Sequence, residues 1–268
     1  MLQFSKMNGA GNDFVVLDNR SLALKLSTQQ LAALCDRHRG IGADGVLLVE
    51  PAHGSADFRM RYYNADGGEA EMCGNGARCF ARFANRIAGP FDKLRFETLA
   101  GEIEAEIDGE LVKLDMGIQQ DLSLHGNLDI AGQKLAVHSV NTGVPHVVTF
   151  VEDLERTPVF EWGRAIRYHK AFQPKGTNAN FIRVVEPGKI LIRTYERGVE
   201  SETLACGTGV TAAALIYSSL FDAKSPVEVQ VRGGDWLEVG IERIGAEFRK
   251  ITLKGPADFA FEGRIALI

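Results

Sequence analysis

Two segments of the chain place a cysteine directly ahead of a Gly-x-Gly step and an apolar run of helical period. They are Met72-Cys73-Gly74-Asn75-Gly76-Ala77-Arg78 and Ala205-Cys206-Gly207-Thr208-Gly209-Val210-Thr211. A thiol at a helix start faces backbone N–H groups that the helix itself does not use. The helix dipole favours negative charge there and draws the thiol pKa below its free value of about 8.5. The glycines let the backbone come close to a ligand, and the same N–H groups suit a carboxylate. One such loop therefore supplies a reactive sulfur and an anion site. Two of them, one per lobe and facing each other across a cleft, are suited to inverting a stereocentre. A thiolate would take a proton from one face of a carbon while a thiol returns one to the other face, and the two exchange roles in the reverse direction. Donors around the substrate carboxylate stabilise the charge that develops.

The other two cysteines, Cys35 and Cys79, fall on apolar helical faces and read as core. Four cysteines are too few for a disulfide framework, and no pair has the C-x-x-C spacing of a structural zinc site. Candidate polar partners are Asn12, Asn64, Asn178, the pair Glu196-Arg197, and His146 in Gly143-Val144-Pro145-His146. Taken singly, these are equally well read as turn formers, an exposed ion pair and a core histidine. Beside two cysteine loops, they make a set suited to a zwitterion.

The elements that must position these groups recur. Gly9-Ala10-Gly11-Asn12-Asp13-Phe14-Val15-Val16 resembles Gly176-Thr177-Asn178-Ala179-Asn180-Phe181-Ile182-Arg183, and the two cysteine segments follow in the same order. The offsets differ, 178 − 12 = 166 against 206 − 73 = 133, which implies a longer connection in the first half. Residues 57–63 alternate as a half-buried strand, and 75–87 has helical period with Cys79, Phe80, Phe83 and Ile87 on one face. Residues 190–195 read as a strand and 207–219 as a helix of small residues. A further helix fits 28–36, with Ser27 as N-cap and Gln30 as its capping-box partner. Short β runs at 94–98, 103–107, 111–115, 137–141, 227–231, 236–241 and 251–254 are separated by turns such as Asp108-Gly109 and Gly233-Gly234. The expected fold is α+β, with two pseudo-symmetric lobes, each a mainly antiparallel sheet wrapped around a central helix. The lobes are expected at 1–118, carrying Cys73, and 119–256, carrying Cys206, with the tail 257–268 a candidate to return to the first.

Composition excludes some functions. A net charge of −5 and no polybasic run argue against nucleic acid or a membrane surface as partner. The start, Met1-Leu2-Gln3-Phe4-Ser5-Lys6, reads as a strand rather than a secretory signal, and no apolar stretch is long enough to span a bilayer. A cytoplasmic location is the expectation.

With these motifs in place, the chain resembles the diaminopimelate epimerases. The resemblance is carried by Lys6-Met7-Asn8-Gly9-Ala10-Gly11-Asn12-Asp13-Phe14, Tyr63-Asn64-Ala65-Asp66-Gly67, Glu71-Met72-Cys73-Gly74-Asn75-Gly76-Ala77-Arg78, Tyr195-Glu196-Arg197-Gly198 and Ala205-Cys206-Gly207-Thr208-Gly209. It runs over essentially the whole chain. It implies conversion of LL-2,6-diaminopimelate to the meso isomer, no cofactor, no metal, an amino-acid substrate and a homodimer. It also implies Cys73 and Cys206 as the catalytic pair, and Asn12, Asn64, Gly74, Asn75, Asn178, Glu196, Arg197, Gly207 and Thr208 as substrate-binding. His146 and Glu196 match groups that tune the thiols or handle the reacting amine. Two positions depart from a common family pattern: Gly45 stands where many members carry a substrate-contacting Gln, and Val144 where many carry a substrate-binding Asn. Both departures bear on recognition of the distal end of the substrate.

Other readings fit parts of the pattern. A proline or hydroxyproline racemase would keep the paired cysteines without the Asn/Arg set. A cysteine hydrolase would leave the second Cys-Gly-x-Gly unexplained, and a non-catalytic binding protein would need neither thiol.

Overall fold

The computed structural model describes residues 1–266 apart from 118, 131 and 246. The chain forms two compact units, Met1–Asp115 with Gly255–Ile268, and Met116–Lys254. Residue 118, at the expected lobe boundary, and residues 267 and 268 of the tail lie outside the described residues.

The first unit runs β1 (Leu2–Gly9), β2 (Asn12–Asp18), α1 (Thr28–Cys35), β3 (Gly45–Glu50), β4 (Phe58–Asn64), β5 (Glu69–Ala70), α2 (Gly74–Ala88), β6 (Lys93–Thr98), β7 (Gly101–Asp108) and β8 (Leu111–Asp115). β1 and β2 form an antiparallel hairpin whose two turn residues, Ala10 and Gly11, both have positive φ, 58° and 88°. This is the turn geometry that matches the twist of a tight hairpin. β2 pairs parallel with β3, which every residue buries, and β3 pairs antiparallel with β4. β4 pairs antiparallel with β5 and parallel with β6, and β6, β7 and β8 continue antiparallel.

The second unit runs β9 (Gln120–Ile130), β10 (Gln133–Asn141), β11 (Pro145–Phe150), α3 (Val159–Arg167), a 3-10 turn (Lys170–Phe172), β12 (Asn178–Glu186), β13 (Lys189–Glu196), β14 (Ser201–Thr203), α4 (Gly207–Phe221), β15 (Val227–Gln230), β16 (Trp236–Ile244) and β17 (Glu247–Pro256). Its pairing repeats the first unit step for step. β10–β11 is antiparallel, β11–β12 parallel, β12–β13 antiparallel, β13–β14 antiparallel, β13–β15 parallel, and β15–β16–β17 antiparallel. The last strand, β18 (Asp258–Ile265), pairs antiparallel with β1, as β9 does with β10. Helices are few and the sheets are mainly antiparallel, which is the α+β, pseudo-symmetric architecture expected.

The repeat corrects the segment match drawn from the sequence. By strand order the counterpart of the hairpin before β2 is the turn before β11, and the counterpart of the segment entering β12 is the one entering β3. Asn178 therefore answers Gly45, not Asn12, and the offset becomes 178 − 45 = 133, the same as 206 − 73 = 133 for the cysteines. No longer connection in the first half is needed. The earlier match failed because short Gly/Asn turns look alike whichever strand they precede.

The helices follow from local chemistry. α1 carries the complete capping box, Ser27 accepting from the Gln30 backbone and Gln30 reaching back to Ser27 N–H. α2 stops at Gly89 ahead of Pro90, and α4 at Asp222 in the left-handed region. α4 is apolar nearly all round and correspondingly buried. Ile87, expected on the apolar face of α2, is half-buried. α3 was not expected. It starts at Pro158 with no capping side chain and contains Gly163, where an added Cβ would lie 2.3 Å from the Tyr195 side chain.

Candidate active site

Each of the two cysteines sits at the N-cap of its unit's long helix. Cys73 precedes α2 and Cys206 precedes α4, both in extended conformation, and their carbonyls accept the first helical N–H bonds, from Ala77 at 2.7 Å and Val210 at 2.9 Å. Gly74 faces open space, since an added Cβ would meet nothing within 4 Å. The other two cysteines lie within helices, Cys35 at the end of α1 and Cys79 inside α2. Burial pushes Cys79 up to about 12 and Cys35 up to about 11, so both stay protonated at neutral pH.

In the first unit the Cys73 thiol donates to Asn12 Oδ1 at 3.5 Å. The Asn12 amide is oriented from its other side, where Nδ2 donates to Asp44 at 2.6 Å. Asn75 Nδ2 donates to the same Asn12 oxygen at 3.4 Å, and the fully buried Arg78 donates to Asn75 Oδ1 at 2.9 Å and to the Pro256 carbonyl at 3.2 Å. The β1–β2 hairpin lies close on this loop, because a Cβ at Gly9 would sit 2.8 Å from the Asn75 carbonyl. Behind the hairpin, burial disfavours ionisation of Asp13, but hydrogen bonds from Arg37 and Lys6 outweigh it and hold the carboxyl at about 2. Asn64 is exposed at the end of β4 and stands opposite Gly45 in the register.

In the second unit Cys206 Sγ lies 3.5 Å from Thr208 Oγ1, and the Thr208 carbonyl accepts from Thr142 at 3.0 Å. Asn178 accepts from the Arg197 backbone N–H at 2.8 Å and donates to the Pro145 carbonyl at 3.2 Å. The Arg197 guanidinium donates to the Lys175 carbonyl at 3.1 Å, and Glu196 accepts from Thr203 at 2.9 Å. His146 is buried; desolvation, with the nearby Arg197 charge, drives its pKa down to about 3, so the ring is neutral. Its Nδ1 lies 3.1 Å from the Asn180 amide nitrogen, which also donates to the Val147 carbonyl, and Asn180 Oδ1 accepts from Thr194 at 3.0 Å. Asn180 lies beneath the first turn of α4, 2.5 Å from where a Cβ on Gly209 would be. Val144, the departure noted above, is half-buried in the β10–β11 turn.

The structure thus joins Asn12, Cys73 and Asn75 in one cluster, and joins Cys206 with Thr208, Asn178 with Arg197, and His146 with Asn180. Asp44, Arg78, Thr142, Asn180, Thr194 and Thr203 were not singled out from the sequence. Of these, Arg78 and Asn180 had a signal, each lying inside a repeated segment. Among the described residues no group of three or more His, Cys, Asp or Glu side chains is arranged to hold a metal, and no helix is long and apolar enough to cross a membrane.

The family model described as diaminopimelate epimerase matches residues 4–120 and 138–260. The chain belongs to the diaminopimelate epimerase family. It is 42% identical to the diaminopimelate epimerase of Aquifex aeolicus over 99% of this chain and 98% of that one. It is 44% identical to that of Chlorobaculum tepidum, over 97% of this chain and 100% of the relative. Among solved structures, a probable proline racemase from Agrobacterium radiobacter shares the fold with a TM-score of 0.73 at 17% identity, covering 100% of this chain and 94% of that chain. A Bacillus anthracis phenazine biosynthesis protein of the PhzF family does so at 0.71 and 17%, covering 98% of each. Family membership makes the chain an epimerase-type isomerase.

Proposed function

We propose that the chain interconverts LL- and meso-2,6-diaminopimelate, in lysine and cell-wall precursor synthesis, with Cys73 and Cys206 as the acid/base pair on one α-carbon. The observation that carries this reading is that two of the four cysteines, Cys73 and Cys206, cap equivalent helices in a repeated topology. In the forward direction one thiolate takes the α-proton. The C–H bond breaks, an S–H bond forms, and the electron pair delocalises toward the substrate carboxylate. The second thiol then gives its proton to the opposite face, forming the new C–H bond and leaving a thiolate. Gly74, Asn75, Gly207 and Thr208 offer first-turn N–H groups to that carboxylate as charge grows on it.

Asn12, Asn64, Asn178, Glu196 and Arg197 bind the remaining polar groups of the substrate, with Arg197 suited to a second carboxylate. His146, held neutral, assists Glu196 at the reacting amine. The same reading takes the units as lobes parting near residue 118, the tail 257–268 as part of the first, and the protein as a cytoplasmic homodimer. Four cysteines without a disulfide among them suit a reducing compartment, and the family resemblance is the basis for the dimer. Incubation of reduced protein with LL-diaminopimelate, without added cofactor, followed by chiral separation tests the substrate. Meso product is expected. No meso product alongside turnover of L-proline would overturn the assignment.

A further inference from the structure

Phe14, Gly45 and Asn64 stand side by side across β2, β3 and β4, and Leu47 and Tyr62 pair two residues further along. Side chains two apart on a strand share a face, so these residues form one patch. The start of α2 covers that patch, because a Cβ on Gly76 would lie 3.4 Å from the Phe14 ring and 3.3 Å from Leu47. Gly76 is three residues beyond Cys73. Gly45 has no room for a side chain. An added Cβ would sit 2.7 Å from Tyr62 Cε2 and 2.5 Å from the Tyr63 carbonyl. The half-buried Tyr62 ring therefore occupies the space over Gly45, edge-on to Phe14 at 6.1 Å between centroids, beside Asn64.

The second unit solves the same position differently. Asn178 takes the place of Gly45, and Thr194, the counterpart of Tyr62, is small and bonded to Asn180. One unit thus presents a short amide and a small hydroxyl where the other presents a bare backbone covered by a phenol ring. We propose that the Tyr62 ring is a specificity-determining wall of the substrate site, standing in for the side chain that Gly45 lacks. The inference rests on the diaminopimelate reading. A flat ring sets the width of the site by shape, whereas an amide would read the substrate through hydrogen bonds. It acts equally on bound substrate and transition state, so its loss raises KM and leaves kcat.

The test is steady-state kinetics on LL-diaminopimelate for wild type, Tyr62→Phe, Tyr62→Leu and Tyr62→Ala, with thermal unfolding of each. Tyr62→Phe, which keeps the ring, is expected within about threefold of wild-type KM, and Tyr62→Ala to raise KM about tenfold with kcat nearly unchanged. Should the alanine variant fail to fold, Tyr62→Leu, which keeps most of the volume but not the flat face, decides with the same KM rise at smaller size. Unchanged KM in folded Ala or Leu variants, or kcat and stability falling together, would overturn the proposal and leave the epimerase reading standing. A folded wild type inert on diaminopimelate would overturn the reading and the proposal with it.

Discussion

Beneath the two cysteine loops lie two floors of opposite character. Under Gly76 the three central strands present Phe14, Leu47 and Tyr62. Under Gly209 the equivalent strands present His146, Asn180 and Thr194, linked by hydrogen bonds. The helices differ in the reverse sense. One turn into α2 stands the buried Arg78, whereas the corresponding residue of α4 is Thr211, which bonds to the Gly207 carbonyl at 3.0 Å. A repeated backbone therefore holds two thiols in the same local geometry but different electrostatic surroundings. In one unit polarity comes from the helix, in the other from the sheet.

The comparison can be broken at its strongest point. Arg78→Met removes the hydrogen bonds to Asn75 and to the Pro256 carbonyl from a buried charged group and is expected to lower stability by about 3 kcal/mol, while Thr211→Val loses a neutral bond and about 1 kcal/mol. Chemical unfolding of both variants checks this, and equal losses would mean that the buried cation is not what anchors the first loop. Next in size is Asn180→Leu, which copies the apolar floor into the second unit. It strands the His146 ring and the Thr194 hydroxyl and is expected to lower stability by about 2 kcal/mol, whereas Leu47→Met in the apolar floor is expected to stay below about 1.5 kcal/mol.

A third difference is pH dependence. His146 titrates near 6.5 when exposed and at about 3 in the fold. Its contribution to stability is complete above pH 6.5 and is lost as the pH falls from there toward 3, because the unfolded chain takes up the proton first. Urea unfolding at several pH values across that window is expected to show a shallower slope for His146→Phe/Asn180→Leu than for wild type. Phe14, in the same position of the first unit, carries no titrating proton, so Phe14→Leu is not expected to alter that slope. The smallest expected stability change is at Gly74, where Gly74→Ala meets no neighbour and should fall within about 0.5 kcal/mol of wild type. The same substitution puts a methyl where a ligand carboxylate would approach, so KM is expected to rise.

Local signals made much of the fold legible. The capping box at Ser27, the Cys-Gly starts of α2 and α4 and the alternation in β4 each rest on neighbours in the chain, and the corresponding elements form as expected. α3 escaped because its stabilising contact, Gly163 against Tyr195, joins residues far apart in sequence. β9 was missed although Leu122, Leu124, Leu128 and Ile130 alternate with polar residues, the period-2 pattern of a half-buried strand. The true repeat escaped for the same reason that Arg78 and Asn180 did: which turn answers which is decided by strand pairing, and buried partners by packing. Residue types announced the thiols and the amides; the groups that orient them, Asp44 for Asn12 and Thr203 for Glu196, are set by the folded register.

The two-thiol account is tested most directly by running the reaction on LL-diaminopimelate in D₂O with wild type, Cys73→Ala and Cys206→Ala, each confirmed folded, and reading proton NMR with chiral separation. The account predicts meso product carrying deuterium at the inverted α-carbon for wild type, and loss of epimerisation by about a thousandfold or more in both variants. A folded alanine variant of either cysteine that still forms meso product at a rate near wild type would contradict it.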